Sequence, residues 1–110
     1  MKASDILDFD DLKTKTVKVM EWGCELTVRE LGLDDGLKMF SMVKDIDDDN
    51  PAINAEDVAQ VVAWGVVDAD TGDRVFSDDD VSELAKKNSK PLMFLYQEII
   101  SLSGEEAAKN

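Results

Sequence analysis

The chain's most concentrated set of potential metal ligands lies between Asp68 and Asp80, where thirteen residues include six aspartates. An EF-hand calcium loop needs oxygen ligands at positions one, three and five, a glycine at six and a carboxylate at twelve. Counted from Asp68, position five is Gly72, which has no side-chain oxygen, and position six is Asp73, which turns less readily than glycine. The spacing is one residue out of register, and we expect no specific calcium site.

A structural interpretation explains more of the same stretch. Gly72 supplies the conformation that a tight turn requires, and the R-V-F segment after it lays Val75 or Phe76 onto the core. Ser77 then begins a helix as its N-cap, with Asp80 three residues on, while two lysines stand near the end of that helix, where its dipole favours positive charge. We therefore predict a connector whose aspartates terminate one helix and begin the next.

The residue inventory argues against catalysis. Histidine is absent, which removes the commonest general base and the commonest transition-metal ligand. The single cysteine, Cys24, allows no internal disulfide, and the chain has neither a nucleophile motif nor a phosphate-binding glycine loop. The sequence predicts a protein that is not an enzyme and uses no cofactor or metal.

Charge and composition limit the partners. The formal net charge of -13 and a pI near 4.2 oppose binding to nucleic acid and to anionic membranes. Apolar residues make up 44% of the 110 residues, enough for one folded domain with a modest core. The longest nearly unbroken apolar run, Val58–Val67, is too short to cross a bilayer, and the N-terminus lacks the apolar run of a signal peptide. We expect a cytosolic protein.

The elements that position these residues begin with a β-hairpin. Polar and apolar residues alternate over 14–19 and again from Cys24, and Gly23 between them suits a turn. The alternation places four side chains on the core side: Val17, Val19, Leu26 and Val28. Such a two-stranded ribbon is marginal alone and must pack on helices.

Helical periodicity follows the hairpin. We predict helices over 33–46, over 54–67 with Asn54 as N-cap, over 77–88, and over a last segment that starts near Pro91 and ends before Gly104. The fold class is therefore mostly α, within α+β: an N-terminal β-hairpin packed on a bundle of about four helices. Residues 1–13 form an N-terminal segment, 14–104 the domain and 105–110 a flexible C-terminal tail.

Four side chains are candidates for contact with a partner. Met39 and Met42 lie on an apolar arc of the 33–46 helix that is wider than one core face needs, so they could serve core packing or an adaptable docking surface. Phe94 falls among polar residues of the last helix, and Trp22 stands at the hairpin turn. Trp64 and Phe76 are expected in the core.

The order of these motifs resembles a known family. E-W-G at the hairpin turn leads to V-R-E-L, a helix and an acidic loop; V-V-A-W-G-V-V-D-A-D-T-G-D-R-V-F-S-D-D-D-V-S-E-L and a closing helix with L-S-G follow. Over residues 16–104 this is similar to the small tail assembly chaperones of long-tailed bacteriophages.

The resemblance implies a function. Members are mainly helical, non-enzymatic proteins that bind the tape measure protein, keep it soluble in the host cytoplasm, promote assembly with tail tube protein and are absent from the finished virion. They also tend to associate with copies of themselves. The alternative is an acidic structural or adaptor protein of the tail or head-tail junction, although structural tail proteins usually contain more β-sheet.

Overall fold

The computed structural model describes residues 1–44 and 54–109, so Ile46 and the acidic loop after it lie outside the described residues. The elements in chain order are α1 (Ala3–Leu7), β1 (Thr14–Val19), β2 (Cys24–Arg29), α2 (Leu33–Lys44), α3 (Ala55–Gly65), β3 (Val66–Val67), α4 (Val81–Leu84) and α5 (Ser89–Lys109). The described chain thus contains five helices and one antiparallel sheet of three strands in the order β1-β2-β3. The predicted α+β class, with an N-terminal hairpin on helices, is confirmed.

The hairpin forms as its alternating pattern predicts. β1 and β2 pair antiparallel with Val17 opposite Leu26, and a short 3₁₀ turn connects them. Gly23 ends that turn at a φ of 62°, in the left-handed region that favours glycine. Val17, Val19 and Val28 are buried, while Leu26 is half-buried against the core.

The third strand was not predicted. The pattern placed Val66 and Val67 in the second long helix, but that helix ends at Gly65 and the two valines pair with Val28 and Thr27 of β2. A continuous apolar run does not distinguish a buried helix from a buried strand. Here Val66 and Val67 form a strand because β2 provides backbone hydrogen-bond partners for them.

Helix α3 lies at the centre of the molecule. Asn54 caps it as predicted, its Oδ1 accepting a hydrogen bond from the backbone N–H of Glu56 at 2.7 Å. Seven of its residues are buried, Trp64 among them as expected: Val58, Ala59, Val61, Val62, Ala63, Trp64 and Gly65. The long helix α5 packs along α3, burying Leu92, Leu95 and Ile99. Contacts on several sides leave α3 no solvent-facing stripe.

The aspartate-rich connector begins with a tight turn. Asp68 Oδ1 accepts hydrogen bonds from the backbone N–H groups of Asp70 at 2.8 Å and Thr71 at 3.0 Å, and Gly72 has a φ of 78°. The N–H of Thr71, followed by that of Asp70, lowers the pKa of Asp68. The Arg29 guanidinium donates to the Gly72 carbonyl oxygen at 3.1 Å, which fixes the turn against β2. The first half of the connector is therefore the predicted structural turn.

Its second half caps a shorter helix than predicted. Asp80 Oδ2 accepts from the Ser77 backbone N–H at 2.9 Å, which confirms the capping box. The first turn, Asp78–Asp80, is 3₁₀, and α4 ends at Leu84, so the predicted helix over 77–88 is wrong in its second half. After Leu84, the backbone N–H groups of Lys86 and Lys87 donate to the carbonyl oxygens of Glu83 and Leu84. These are the tighter i to i+3 hydrogen bonds, and they form turns instead of extending the α-helix. Phe76 is half-buried against the core, whereas Val75 is exposed.

The two ends of the chain also differ from expectation. Helix α5 runs to Lys109 and continues through Gly104, where the pattern predicted its end, because glycine inside a helix costs only about 1 kcal/mol and does not force a stop. The N-terminal segment contains the short helix α1, which was not predicted and in which every residue is exposed.

Strand β1 is an outer edge of the sheet. No strand of the described chain pairs along its outer side. Two lysines stand on it, Lys15 and Lys18, and Lys15 Nζ lies 2.8 Å from the Glu98 carboxylate of α5. The charges at this edge oppose pairing with a further strand.

Replacing Gly65 should test how closely α3 and α5 pack. A Cβ atom at Gly65 would lie 2.5 Å from Ile99 Cδ1 and 2.7 Å from Cγ1, and Ile99 is fully buried, so it cannot move freely. We expect Gly65→Ala to lower the free energy of unfolding by about 1–3 kcal/mol. Urea denaturation measures the change.

Gly36→Ala is the matched control, since Gly36 also lies in a helix and nothing stands within 4 Å of its would-be Cβ. This change should stabilise by about 0.5–1 kcal/mol. Equal effects at the two positions would contradict the close packing of Gly65.

The pH dependence of stability should reveal the contribution of the ionised Asp78 side chain. Its Oδ1 accepts from Arg74 at 2.8 Å and from Gln60 at 3.1 Å, and these bonds, the Arg74 bond first, lower its pKa from the usual 3.8. A carboxylate with a lowered pKa in the folded state stabilises above its unfolded pKa, and the contribution is lost as pH falls through the folded value. Asp78→Asn should lower the melting temperature at pH 7 and have little effect near pH 2.

The exposed neighbour Asp79 provides the control for that measurement. Asp79→Asn should leave the melting temperature nearly unchanged at pH 7. A difference between wild type and Asp78→Asn that persists undiminished at low pH would show that ionisation of Asp78 is not its cause.

Candidate partner-binding surface

The described residues do not assemble a chemical site. Within 1–44 and 54–109, no group of three or more His, Cys, Asp or Glu side chains is arranged to hold a metal ion. Cys24 is exposed. No helix in this part of the chain is both long and apolar enough to span a membrane. Functional features must be sought on the surface.

The most informative surface feature is the placement of the large flexible apolar residues. None of the four phenylalanines and five methionines belongs to the buried core, whose members are valine, leucine, isoleucine, alanine and Trp64. Six of these nine side chains are exposed and three are half-buried. The exposed ones are Met1, Phe9, Met20, Phe40, Met93 and Phe94. Phenylalanine and methionine are usually interior residues, so this distribution indicates contact surfaces.

Two of the predicted contact residues lie beside the hairpin turn. Trp22 is half-buried and lines a shallow groove with Phe76, Leu84 and Lys87. Phe94, 39% exposed, lines a second groove with Met20, which is 71% exposed. We call Met20, Trp22 and Phe94 the tip surface.

Contacts of the 3₁₀ turn with α5 create the tip surface. The turn carries Met20 and Trp22, and it packs against the helix that carries Phe94. The Glu21 carboxylate lies 4.0 Å from Lys90 Nζ across this junction. Residues far apart in sequence thus meet beside the hairpin turn, where apolar side chains stand next to charged ones.

The other two predicted contact residues face inward. Met39 and Met42 are half-buried and pack against the core from α2. On the same helix Lys38 Nζ lies 5.9 Å from the centre of the Trp64 ring, within range of a cation–π contact. The inner face of α2 therefore serves the packing role that the sequence left open for these methionines.

The outer face of α2 holds apolar residues that were not singled out as contacts. Leu33, Leu37 and Phe40 are 81%, 61% and 67% exposed. We call these three residues the α2 stripe. Their spacing of four and then three residues, which places them on one face, was the available signal in the sequence. The wide apolar arc did not reveal which of its sides would meet the core.

Acidic groups border the start of α2. Asp34 is exposed, and Asp35 lies 3.9 Å from Lys38 Nζ. Burial, then the negative charge of Asp34, raises the pKa of Asp35 from its ordinary value of 3.8. The apolar α2 stripe thus begins beside concentrated negative charge.

These features define a class: a small, acidic α+β protein with apolar side chains presented on its surface and, among the described residues, no cluster of metal ligands. The family model "Phage tail assembly chaperone" matches residues 8–110, and the chain therefore belongs to the phage tail assembly chaperones. Family membership confirms the resemblance drawn from the motifs and the prediction that the protein is not an enzyme.

A solved structure supports the same fold. The bacteriophage HK97 tail assembly chaperone superposes with a TM-score of 0.66 at 22% sequence identity, covering 83% of this chain and 85% of that chain. Among curated proteins, none matches.

Calcium titration should confirm the structural role of the aspartate-rich connector. Because Asp68, Asp78 and Asp80 accept hydrogen bonds from the chain itself, they are poorly placed to converge on an ion. Isothermal titration with calcium at about millimolar concentration, the affinity range of weak modules, should give no saturable heat. A saturable isotherm that Asp68→Asn abolishes would contradict this expectation.

Proposed function

We propose that this tail assembly chaperone binds the tape measure protein in the cytoplasm of the infected host, keeps it soluble and promotes its assembly with tail tube protein. It acts before the tail is complete and is not part of the finished virion. The observation that carries the proposal is the exposure of phenylalanine, methionine and leucine side chains on a protein of this family.

Exposed apolar side chains suit a long, apolar partner. A chaperone for a largely helical protein must cover apolar helix faces until those faces find their final contacts. Methionine is unbranched and adaptable, and phenylalanine supplies a large contact area, so both can accept different partner segments in turn. The tip surface provides both types, since Met20 and Phe94 line the same groove.

Acidity supports the holding role. The net charge of -13 keeps the protein soluble and opposes nonspecific association with nucleic acid or anionic membrane. Apolar contacts would then hold the partner, and the net charge would keep the complex in solution. Association with copies of itself, as in the resemblance, would multiply the number of tip surfaces along one extended partner.

The proposed contact residues have two different roles in binding. Trp22 and Phe94 of the tip surface would contact the partner directly, since a flat, partly exposed aromatic side chain buries much area at low entropic cost. Met39 and Met42 lie beneath the α2 stripe, where their flexible side chains would let α2 adjust to the segment bound outside.

Co-expression with the tape measure protein tests this function. Wild-type chaperone should raise the soluble fraction of the tape measure protein and co-purify with it. Phe94→Ser should weaken the complex by about tenfold, as expected for an aromatic anchor. Val75→Ser, which removes an exposed apolar side chain that lines neither groove of the tip surface, is the matched control and should behave as wild type.

Two outcomes would count against the proposal. If wild-type chaperone neither co-purifies with the tape measure protein nor changes its solubility, the function is wrong. If Phe94→Ser and Trp22→Ala both bind normally, the tip surface is not the contact.

A further inference from the structure

We propose that the α2 stripe is a second docking site, which takes one amphipathic helix whose apolar face is bordered by lysine or arginine. The inference rests on the proposed function in that it names the chemistry of a partner segment for a chaperone of helical proteins. It adds a surface distinct from the tip surface and a charge preference.

The geometry of the α2 stripe matches helix-in-groove recognition. Leu33, Leu37 and Phe40 follow the i, i+4, i+7 spacing that sets apolar side chains in a row on one helix face. At a rise of about 1.5 Å per residue the row is roughly 10 Å long, or two helical turns. Two turns offer enough length for two or three anchor residues of one partner helix.

The α2 stripe is not needed to hold α2 in place. Met39 and Met42 pack inward on the core, and Lys38 lies over the ring of Trp64. The three outer side chains remain 61% or more exposed after these contacts are made. Leucine and phenylalanine in such positions contribute little to the chain's own core, which leaves binding as their physical use.

Charge identifies the partner's flanks. The negative groups around the start of α2 are Asp34, Asp35 and Asp78, and the cations among them are Lys38 and Arg74. Lys38 lies 3.9 Å from Asp35, and Arg74 lies 2.8 Å from Asp78. Both cations are thus already engaged with carboxylates, and the three carboxylates outnumber the two cations, so the start of α2 is net negative. A partner helix with basic flanks complements this end, whereas an acidic helix is repelled.

The size of the α2 stripe favours a single helix over a second copy of this chain. A stable interface between two proteins buries about 800 Å² on each partner. Two leucines and one phenylalanine present only a few hundred square ångströms, the size of an ordinary surface patch. A second copy would also bring its own acidic groups to the contact, at a net charge of -13 per chain.

Two designed peptides test the charge preference. Both are helical, about four turns long, with leucines at i, i+3, i+4 and i+7; one carries lysines beside the leucines and the other carries glutamates. Fluorescence anisotropy of the labelled peptides should show saturable binding of the lysine peptide to the full chain. The glutamate peptide should bind at least about tenfold more weakly, and the affinity of the lysine peptide should fall as salt is raised.

Variants locate the binding site. Phe40→Ser should weaken binding of the lysine peptide by about tenfold. Asp34→Asn, which keeps the side-chain oxygen that accepts from the Asp35 N–H, should weaken it by about two- to fivefold. Met20→Ser removes an exposed side chain of the tip surface and should leave the affinity unchanged. Circular dichroism of each variant checks that the fold is retained.

Several results would overturn the inference: equal binding of the two peptides, normal affinity of Phe40→Ser, or an equal loss with Met20→Ser. If sedimentation velocity shows a wild-type oligomer that Phe40→Ser dissociates, the α2 stripe is an interface between copies.

The inference and the proposed function fail in different ways. A tape measure complex that forms with wild type and survives Phe40→Ser, together with no peptide binding, removes only the α2 stripe. Peptide binding without any tape measure complex removes the proposed partner and leaves the docking site.

Discussion

The structure depends on one constraint: α3 has almost no polar side and must be covered on all sides. Its side chains are mainly valine and alanine, and the close approach of Gly65 to Ile99 brings α5 against its end. The sheet, α2 and α4 complete the cover. Small and β-branched side chains make close approach possible, so a chain of 110 residues encloses most of a helix within a thin layer of other elements.

The apolar residues fall into two groups, one inside the core and one outside it. Nine valines lie in the core, where their stiff side chains define one packing arrangement. Phenylalanine and methionine, which are larger or more flexible, are left to the surface and to the layer beneath α2. The core therefore consists mainly of valine, whereas the proposed contact surfaces consist of phenylalanine, methionine, leucine and Trp22. A partner bound at the proposed surfaces would contact side chains outside the valine core.

Turns and helix caps could be predicted from the sequence, whereas features that depend on tertiary contacts could not. The left-handed glycine at Gly23, the cap at Asn54 and the bond between Ser77 and Asp80 each involve groups a few residues apart, so their patterns predicted them. The strand at Val66–Val67 needed β2 as a hydrogen-bonding neighbour, and no local pattern contains that neighbour. The same limit explains α2: periodicity gave the helix and its apolar arc, but the position of α3 decided that Met39 faces inward and Phe40 outward.

The charged edge of β1 has a consequence for how bound proteins leave. Sheet edges invite extended segments to add a strand, and a ladder of backbone hydrogen bonds formed in this way breaks slowly. Lys18 on one face of the strand and Lys15, held by Glu98 on the other, discourage that mode of capture. Strand addition is thus disfavoured at this edge, and the contacts proposed for the tip surface and the α2 stripe are side-chain contacts, which can be exchanged one at a time. In the proposed function, a tape measure protein held by such contacts would be released in small steps, without one large barrier to dissociation.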